Sequence, residues 1–296
     1  MMAVCVSAGL QLTRCSLMAL SYRTLMSSSL PSGEFREKLR CFQGGSVELL
    51  KQPNTGVAMI TLNNPARMNA FSGSMMLDLE RCVQDLEKWA EGKAVILQGA
   101  SGNFCSGSDL NAVRAIANPQ DGMQMCEFMQ NTLSRLLRLP LISVALLEGR
   151  ALGGGAELST ACDFSDAVIQ FVHKRMGLVP GWGGAARLVR IVGSQNALKF
   201  LSGVQKIDPD LGKLVGLVDE VLACASGDKT ALDQCLKWLE PLIGGPAPVI
   251  QAIKSVVVSG RELPLDEALK EERRVFGNVW GGPANLEALA SKTKHK

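Results

Sequence analysis

A chain of 296 residues is long enough for one large domain plus an appendage, and a unit of that size buries roughly three quarters of its unfolded surface without disulfide or metal staples. Its 31 basic and 28 acidic residues leave a net charge of +3, too even for a nucleic-acid footprint or a face for anionic membranes, so any anion site must be local. No apolar run approaches the roughly 20 residues of a membrane span, which makes a soluble protein the expectation. Nine cysteines, odd in number, scattered and never in a C-x-x-C pair, argue against a disulfide framework or a zinc site and for a reducing compartment.

In chain order, residues 1–33 carry Arg14, Arg23 and many serines with no acid before Glu34, a composition shared by transit peptides and disordered tails. The division that follows is a flexible or targeting tail over 1–33, a core over 34–222 and a helical region over 223–296. Glu34 to Gln43 reads as a short charged helix, Val47 to Gln52 as an edge strand and Asn54-Thr-Gly56 as a turn. Val57 to Leu62 reads as a buried strand ended by Asn63-Asn-Pro65. From Ser74, the recurrence of Met75, Met76, Leu79, Val83, Leu86 and Trp89 predicts an amphipathic helix packed on a sheet. Further strands are expected at Ala94 to Gln98 and Leu141 to Leu147, with helices at about Gly122 to Arg138 and after Gly155. This alternation predicts an α/β fold with parallel strands. Beyond Ser194 helices dominate, at Gln195 to Ser202, Lys229 to Leu242, Pro248 to Ser259 and Leu265 to Trp280, punctuated by prolines.

Two small-residue turns carry the chemistry. In Gly149-Arg-Ala-Leu-Gly-Gly-Gly-Ala-Glu-Leu-Ser-Thr-Ala-Cys-Asp163, three glycines sit between an apolar run and a helix, where bare N–H groups and a helix dipole can meet negative charge. A tight strand-to-helix turn is the plain alternative. In Ala94-Val-Ile-Leu-Gln-Gly-Ala-Ser-Gly-Asn-Phe-Cys-Ser-Gly-Ser-Asp-Leu110, a strand runs into a second such turn.

Together with Thr61-Leu-Asn-Asn-Pro-Ala-Arg-Met-Asn-Ala70 and Met176-Gly-Leu-Val-Pro-Gly-Trp-Gly-Gly-Ala-Ala-Arg-Leu188, these turns resemble, in order and spacing, the four signatures of the crotonase (enoyl-CoA hydratase/isomerase) superfamily. The segments around Met68, Ser108, His173 and Trp280 resemble more closely its ethylmalonyl-CoA decarboxylase branch. The resemblance implies a crotonase-type β-β-α spiral core with a C-terminal helical region that covers the active site and builds a homotrimer or a dimer of trimers. It also implies an acyl-CoA substrate, no cofactor beyond the CoA of the substrate itself, no metal, and the cytosol, with the mitochondrial matrix as the alternative.

By the same resemblance the backbone N–H groups of Ser106 and Gly154 form an oxyanion hole for a thioester carbonyl, each such donor contributing about 2.7–4 kcal/mol in the transition state. Glu157 is the acid or positioning group, unless it merely favours the helix dipole. Ala66, Arg67, Ser108, Asp109 and Leu110 border the CoA portion, and Lys292 or Lys294 can reach a phosphate on a neighbouring subunit. Trp182 is expected to line the acyl pocket, with core packing as the rival role. Family hydratases carry a second acid in F-x-x-x-E-x-G-x-x-P, but from Phe171 to Pro180 this chain has Arg175 there. Losing one of two paired acids disfavours hydration. Loss of CO₂ needs no base, because it creates the enolate directly. Arg175 can hold a substrate carboxylate or simply be exposed, and His173 can serve the site or pack. Tyr22, the single tyrosine, lies in the tail, so no phenol is at hand.

The reading that follows is a lyase of metabolite repair that decarboxylates short branched malonyl-CoA thioesters, ethylmalonyl-CoA to butyryl-CoA and also methylmalonyl-CoA. An enoyl-CoA hydratase or isomerase and an inactive binding protein on the same fold are the alternatives. Only seven residues, Phe164 to Gln170, separate Asp163 from Phe171, fewer than the family usually has, and this predicts a distorted pocket beside His173 and Arg175. A dinucleotide site at Gly181-Trp-Gly-Gly-Ala-Ala186 fails because no strand precedes it, and a serine hydrolase fails for want of a G-x-S-x-G elbow.

Overall fold

The computed structural model describes residues 33–162, 164–222 and 230–291, and of residues 164–167 only the backbone. The tail with Arg14, Tyr22 and Arg23 lies outside the described residues, as do Lys229, Lys292 and Lys294. A five-stranded sheet runs in sequence order: β1 (Ser46–Gln52), β2 (Val57–Asn63), β3 (Ala94–Gly99), β4 (Ile142–Leu152) and β5 (Phe164–Gln170). β1 is the antiparallel edge, turned by Gly56, and the remaining pairs are parallel.

Continuous apolar strands require cover on both faces, and the alternation of side chains divides them accordingly. Ala58, Ile60, Leu62, Val95, Leu97, Ala145 and Leu147 join one core, built with α1 (Gly33–Cys41), α2 (Gly73–Glu87) and α4 (Pro119–Arg138). Val57, Met59, Ala94, Ile96, Val144 and Leu146 join a second, closed by Cys235 and Leu239 of α8 (Ala231–Leu239). The far face of the sheet therefore belongs to the helical region. The second strand of each spiral turn is reduced to single bridges, Phe71 with Ser108, Cys105 with Ala151 and Ile169 with Ile207.

Local signals explain where helices start. Ser72 caps α2, its hydroxyl accepting from Met75 N at 3.2 Å. Asn118 caps α4 with Pro119 in its first turn, so this helix begins three residues before the expected Gly122. Asp109 caps α3 (Leu110–Ala115) and Asp208 caps α7 (Pro209–Val215), two short helices not expected from periodicity. α6 (Gly184–Gly203) starts inside the glycine motif, well before the expected Gln195, and is interrupted at Gly193, whose φ of 78° is not helical.

The C-terminal helices α9 (Ala247–Glu262), α10 (Leu265–Val279) and α11 (Pro283–Ala290) form an annex. α9 and α10 pack on each other. Gln251 ties the annex to the core through the carbonyls of Ala90 at 2.9 Å and Gly92 at 2.8 Å. No described residue beyond Trp182 lines the large cavity, so within one chain the helical tail does not cover the site as expected. Glu262 meets only its rim, pairing with Arg138 at 2.7 Å.

The short segment before Phe171 is accommodated rather than lost. β5 pairs with β4 at both ends, Leu146 with Asp166 and Arg150 with Val168, and the shift between these registers leaves β4 with the extra residues at Leu147 to Gly149. A bulge lets a shorter strand keep both ends in register. The site end remains closed: Leu152 pairs with Gln170, whose carbonyl accepts from Gly153 N at 3.1 Å. The expected distortion beside His173 is therefore taken up in the bulge.

Candidate active site

The two glycine turns meet because only glycines fit between them. Leu152 N donates to Cys105 O at 2.9 Å, and a Cβ on Gly155 would lie 2.2 Å from that same oxygen. Gly107 has a φ of +101°, and a Cβ there would stand 3.1 Å from Gly154 N. Gly154 opens the short helix α5 (Gly154–Ser159), and its N–H has no partner among the described residues. The second expected donor is engaged: Ser106 N donates to Met68 O at 3.0 Å. Met68 itself has a φ of 50°, a left-handed conformation that costs free energy in a side chain of this size. Of the two expected donors, the Gly154 N–H is open and the Ser106 N–H is engaged by a carbonyl on a strained turn.

Glu157 follows from α5 into the interior, 1% exposed, and its carboxylate is filled by donors. Oε2 accepts from Trp182 N and Gly184 N, both at 2.8 Å. Oε1 accepts from Gly181 N at 3.2 Å and faces His173 Nε2 at 2.9 Å. Gly184 is required for this approach, since a Cβ there would be 2.4 Å from Glu157 Cγ. Arg187 closes the arrangement, donating to Glu157 O and Trp182 O at 3.0 Å each and to Thr160 Oγ1 at 3.0 Å. Burial pushes its guanidinium down to about 10 while the Glu157 charge opposes the fall, so it stays a cation at neutral pH. Trp182 is both wall and core: it lines the cavity, is 2% exposed and meets Phe71 edge-on at 5.7 Å.

These groups open on a cavity of about 1400 Å³, enough for a long thioester. Arg67, Ser108, Asp109 and Leu110 line it, and so do Ser106, Gly154, Glu157, His173 and Trp182. Asp109 pairs with Arg67 as well as capping α3. Burial alone would push its carboxyl up, but the Arg67 guanidinium and the N–H groups of Asn111 and Ala112 hold it below its ordinary value. Two expected residues fall outside the lining. Ala66 is exposed on the turn Pro65–Arg67, and Arg175 is exposed on the turn His173–Met176, which sends its neighbours His173 and Met176 to the cavity instead.

The sequence reading missed α4 as a wall. Cys126, Glu127 and Gln130 line the cavity, and Gln130 Nε2 reaches Gly181 O at 2.7 Å. Polar residues on an amphipathic helix read as a solvated face, so only packing could reveal this. Burial, reinforced by the Glu157 charge, pushes the Cys126 thiol up, which leaves it a neutral wall rather than a nucleophile. Arg187 belongs to the Met176–Leu188 motif, but nothing in its spacing distinguishes it from a surface arginine.

Comparison with known proteins adds the lineage. The enoyl-CoA hydratase/isomerase family profile matches residues 52–282. The chain is 76% identical over 266 residues to the ethylmalonyl-CoA decarboxylase of Danio rerio, covering 88% of each, and 58% identical to that of Gallus gallus over 264 residues, again 88% of each. Among solved structures it resembles an enoyl-CoA hydratase from Geobacillus kaustophilus at 25% identity and a TM-score of 0.76, covering 84% of this chain and 93% of that one. With a profile spanning both the sheet and the helical annex, and relatives this similar over most of their length, the chain belongs to the enoyl-CoA hydratase/isomerase family.

Proposed function

We infer that the protein decarboxylates ethylmalonyl-CoA to butyryl-CoA, the activity named for its relatives at 55–76% identity. The observation that carries this reading at the site is an arginine, turned outward, where a hydratase has its second acid, which leaves Glu157 as the one buried carboxylate beside the Gly154 N–H while the buried Asp109 is paired with Arg67. Water addition needs two groups to activate and protonate. Loss of CO₂ needs one oxyanion site, exclusion of water and one proton.

In the reaction the thioester oxygen docks on the Gly154 N–H, with the Ser106 N–H joining as the Met68 carbonyl yields. The bond from the α-carbon to the carboxylate breaks, CO₂ leaves, and the electron pair passes into the thioester to give an enolate whose oxygen rests on these dipoles. Protonation of the α-carbon completes butyryl-CoA. The apolar wall of Met125, Cys126, Val172 and Trp182 favours this step, because a carboxylate is destabilised where it loses water and CO₂ is not. No step calls for a cofactor. Arg67 and the residues around Asp109 serve the CoA portion, and Ala66, outside the lining, does not.

Methylmalonyl-CoA, one methylene shorter, is a second substrate in this reading, weaker by the roughly 1–3 kcal/mol that a methylene contributes in an apolar pocket. A homotrimer is proposed on the exposed apolar residues of the annex, and a reducing compartment, the cytosol by family resemblance, on nine scattered cysteines with no C-x-x-C pair. The test is direct assay of the purified protein with ethylmalonyl-, methylmalonyl- and crotonyl-CoA. CO₂ release from the first two and no appreciable hydration of the third is expected. Hydration of crotonyl-CoA without CO₂ release would replace this reading with the hydratase one, and binding without turnover would make the chain a scaffold.

A further inference from the structure

Glu157 is the acid the family resemblance offers for the proton, yet its surroundings argue for a different task. Both of its oxygens face nitrogen donors, Gly181 and His173 on Oε1, Trp182 and Gly184 on Oε2. A proton on either oxygen would point at another N–H. The neighbouring imidazole is differently placed. Its Nε2 faces Glu157 at 2.9 Å, an arrangement that is a hydrogen bond to a carboxylate only when Nε2 carries the hydrogen. Its Nδ1 is, among the described residues, the only buried side-chain nitrogen or oxygen without a hydrogen-bond partner. A buried polar atom left without a partner is disfavoured, because it has lost its water and gained nothing in exchange. A ring oriented by a buried carboxylate, on a residue that lines the substrate cavity, reserves that atom for something that arrives with the substrate.

We propose that His173 is the proton donor of the reaction and that Glu157 is its positioning residue, an assignment that rests on the decarboxylase reading above. As the carbon–carboxylate bond breaks, CO₂ departs and the enolate forms on the hole. The enolate α-carbon then takes the proton of Nδ1 from the doubly protonated ring, giving the new C–H bond. His173 is left neutral with its Nε2 hydrogen still on Glu157, and one proton from water restores it. No oxidant, reductant or co-reactant enters. The Glu157 carboxylate faces the ring from its Nε2 side only, at 2.9 Å. Arg187 is turned to the backbone oxygens of Glu157 and Trp182, and Lys174 reaches away to Ser202 O at 2.8 Å. Glu127 on α4 is the competing acid at the cavity wall.

The experiment is turnover of ethylmalonyl-CoA in D₂O by the wild-type enzyme and by His173→Gln, whose amide still donates to Glu157 but carries no titratable proton. The wild type is expected to place one deuterium on C2 of butyryl-CoA in a single configuration. His173→Gln should lose about 10²–10⁴-fold in kcat, retain butyryl-CoA binding, and scramble the configuration because water then protonates either face. An unchanged kcat overturns the assignment, and so does a slow variant that still labels a single face, which would mark His173 as merely structural. Loss of single-face labelling in Glu127→Gln with His173→Gln unaffected would move the role to Glu127. His173→Asn, with a nitrogen near the Nδ1 position and again no titratable proton, is the second variant should the first not fold. A wild-type enzyme that releases no CO₂ overturns the decarboxylase reading itself, an outcome distinct from all of these.

Discussion

Glu157 spends its whole carboxylate on the protein, and that decides what its substitution does. Glutamine keeps one oxygen but turns an NH₂ toward N–H donors, leaving at least one of Gly181, Trp182 and Gly184 unpaired at about 1–3 kcal/mol each. Glu157→Gln is therefore expected to lower thermal stability as well as to reduce kcat by 10²-fold or more, by freeing the imidazole as much as by losing a charge. Differential scanning calorimetry alongside turnover checks this, and wild-type values in both would remove Glu157 from the site. Asp109 gives a pH-dependent counterpart. Its carboxyl is held below the ordinary value in the folded chain, so its contribution is fully present above the unfolded pKa of about 3.9 and is lost as pH falls through the folded value. The difference in Tm between wild type and Asp109→Asn should be largest near neutrality and shrink through acid, and a pH-independent difference would contradict the Arg67 pairing as its source.

At the scale of elements, the bulge in β4 is what keeps a shortened β5 from disturbing the site. It turns at Gly149, whose φ is +66° and where a Cβ would lie 2.4 Å from Gly102 O. Gly149→Ala should cost about 1–3 kcal/mol of unfolding free energy, read from a denaturant midpoint, because left-handed strain and a backbone clash coincide. No loss there would show that the bulge relaxes freely. Strands and long helices were legible in the sequence because their signals are local: continuous apolar runs in β2 to β4, the apolar stripe of α2, and proline or serine at the starts. The bulge was not, because it arises from a mismatch of two strands separated in sequence. The start of α6 within Gly181–Leu188 was missed for a related reason, since a glycine run reads as a loop until Glu157 is seen accepting its N–H groups.

For the whole molecule, the annex carries the exposed apolar face on which assembly is proposed. Ile253, Val257, Phe276 and Trp280 are more than half exposed on neighbouring helices, and Phe276 and Trp280 stack with centroids 5.1 Å apart. Apolar groups clustered this way on a surface mark an interaction face. If this face builds the proposed trimer, light scattering is expected to give a trimer's mass for the wild type and a mass shifted toward a single chain for Phe276→Glu, and an unchanged mass would place the interface elsewhere. The sequence by itself determined the α/β class, the strands β2 to β4, most of the longer helices, the two glycine-rich turns and the arginine after Phe171 where the family's hydratases carry an acid. Those follow from residue type and spacing along one chain. Tertiary structure alone decided that Glu157 is saturated by donors, that Nδ1 of His173 is left without one, that Arg175 and Ala66 stand outside the cavity and that α4 forms a wall of it. Each of these depends on which side chain a turn points inward and what meets it there, a property of packed surfaces that no single stretch of sequence carries.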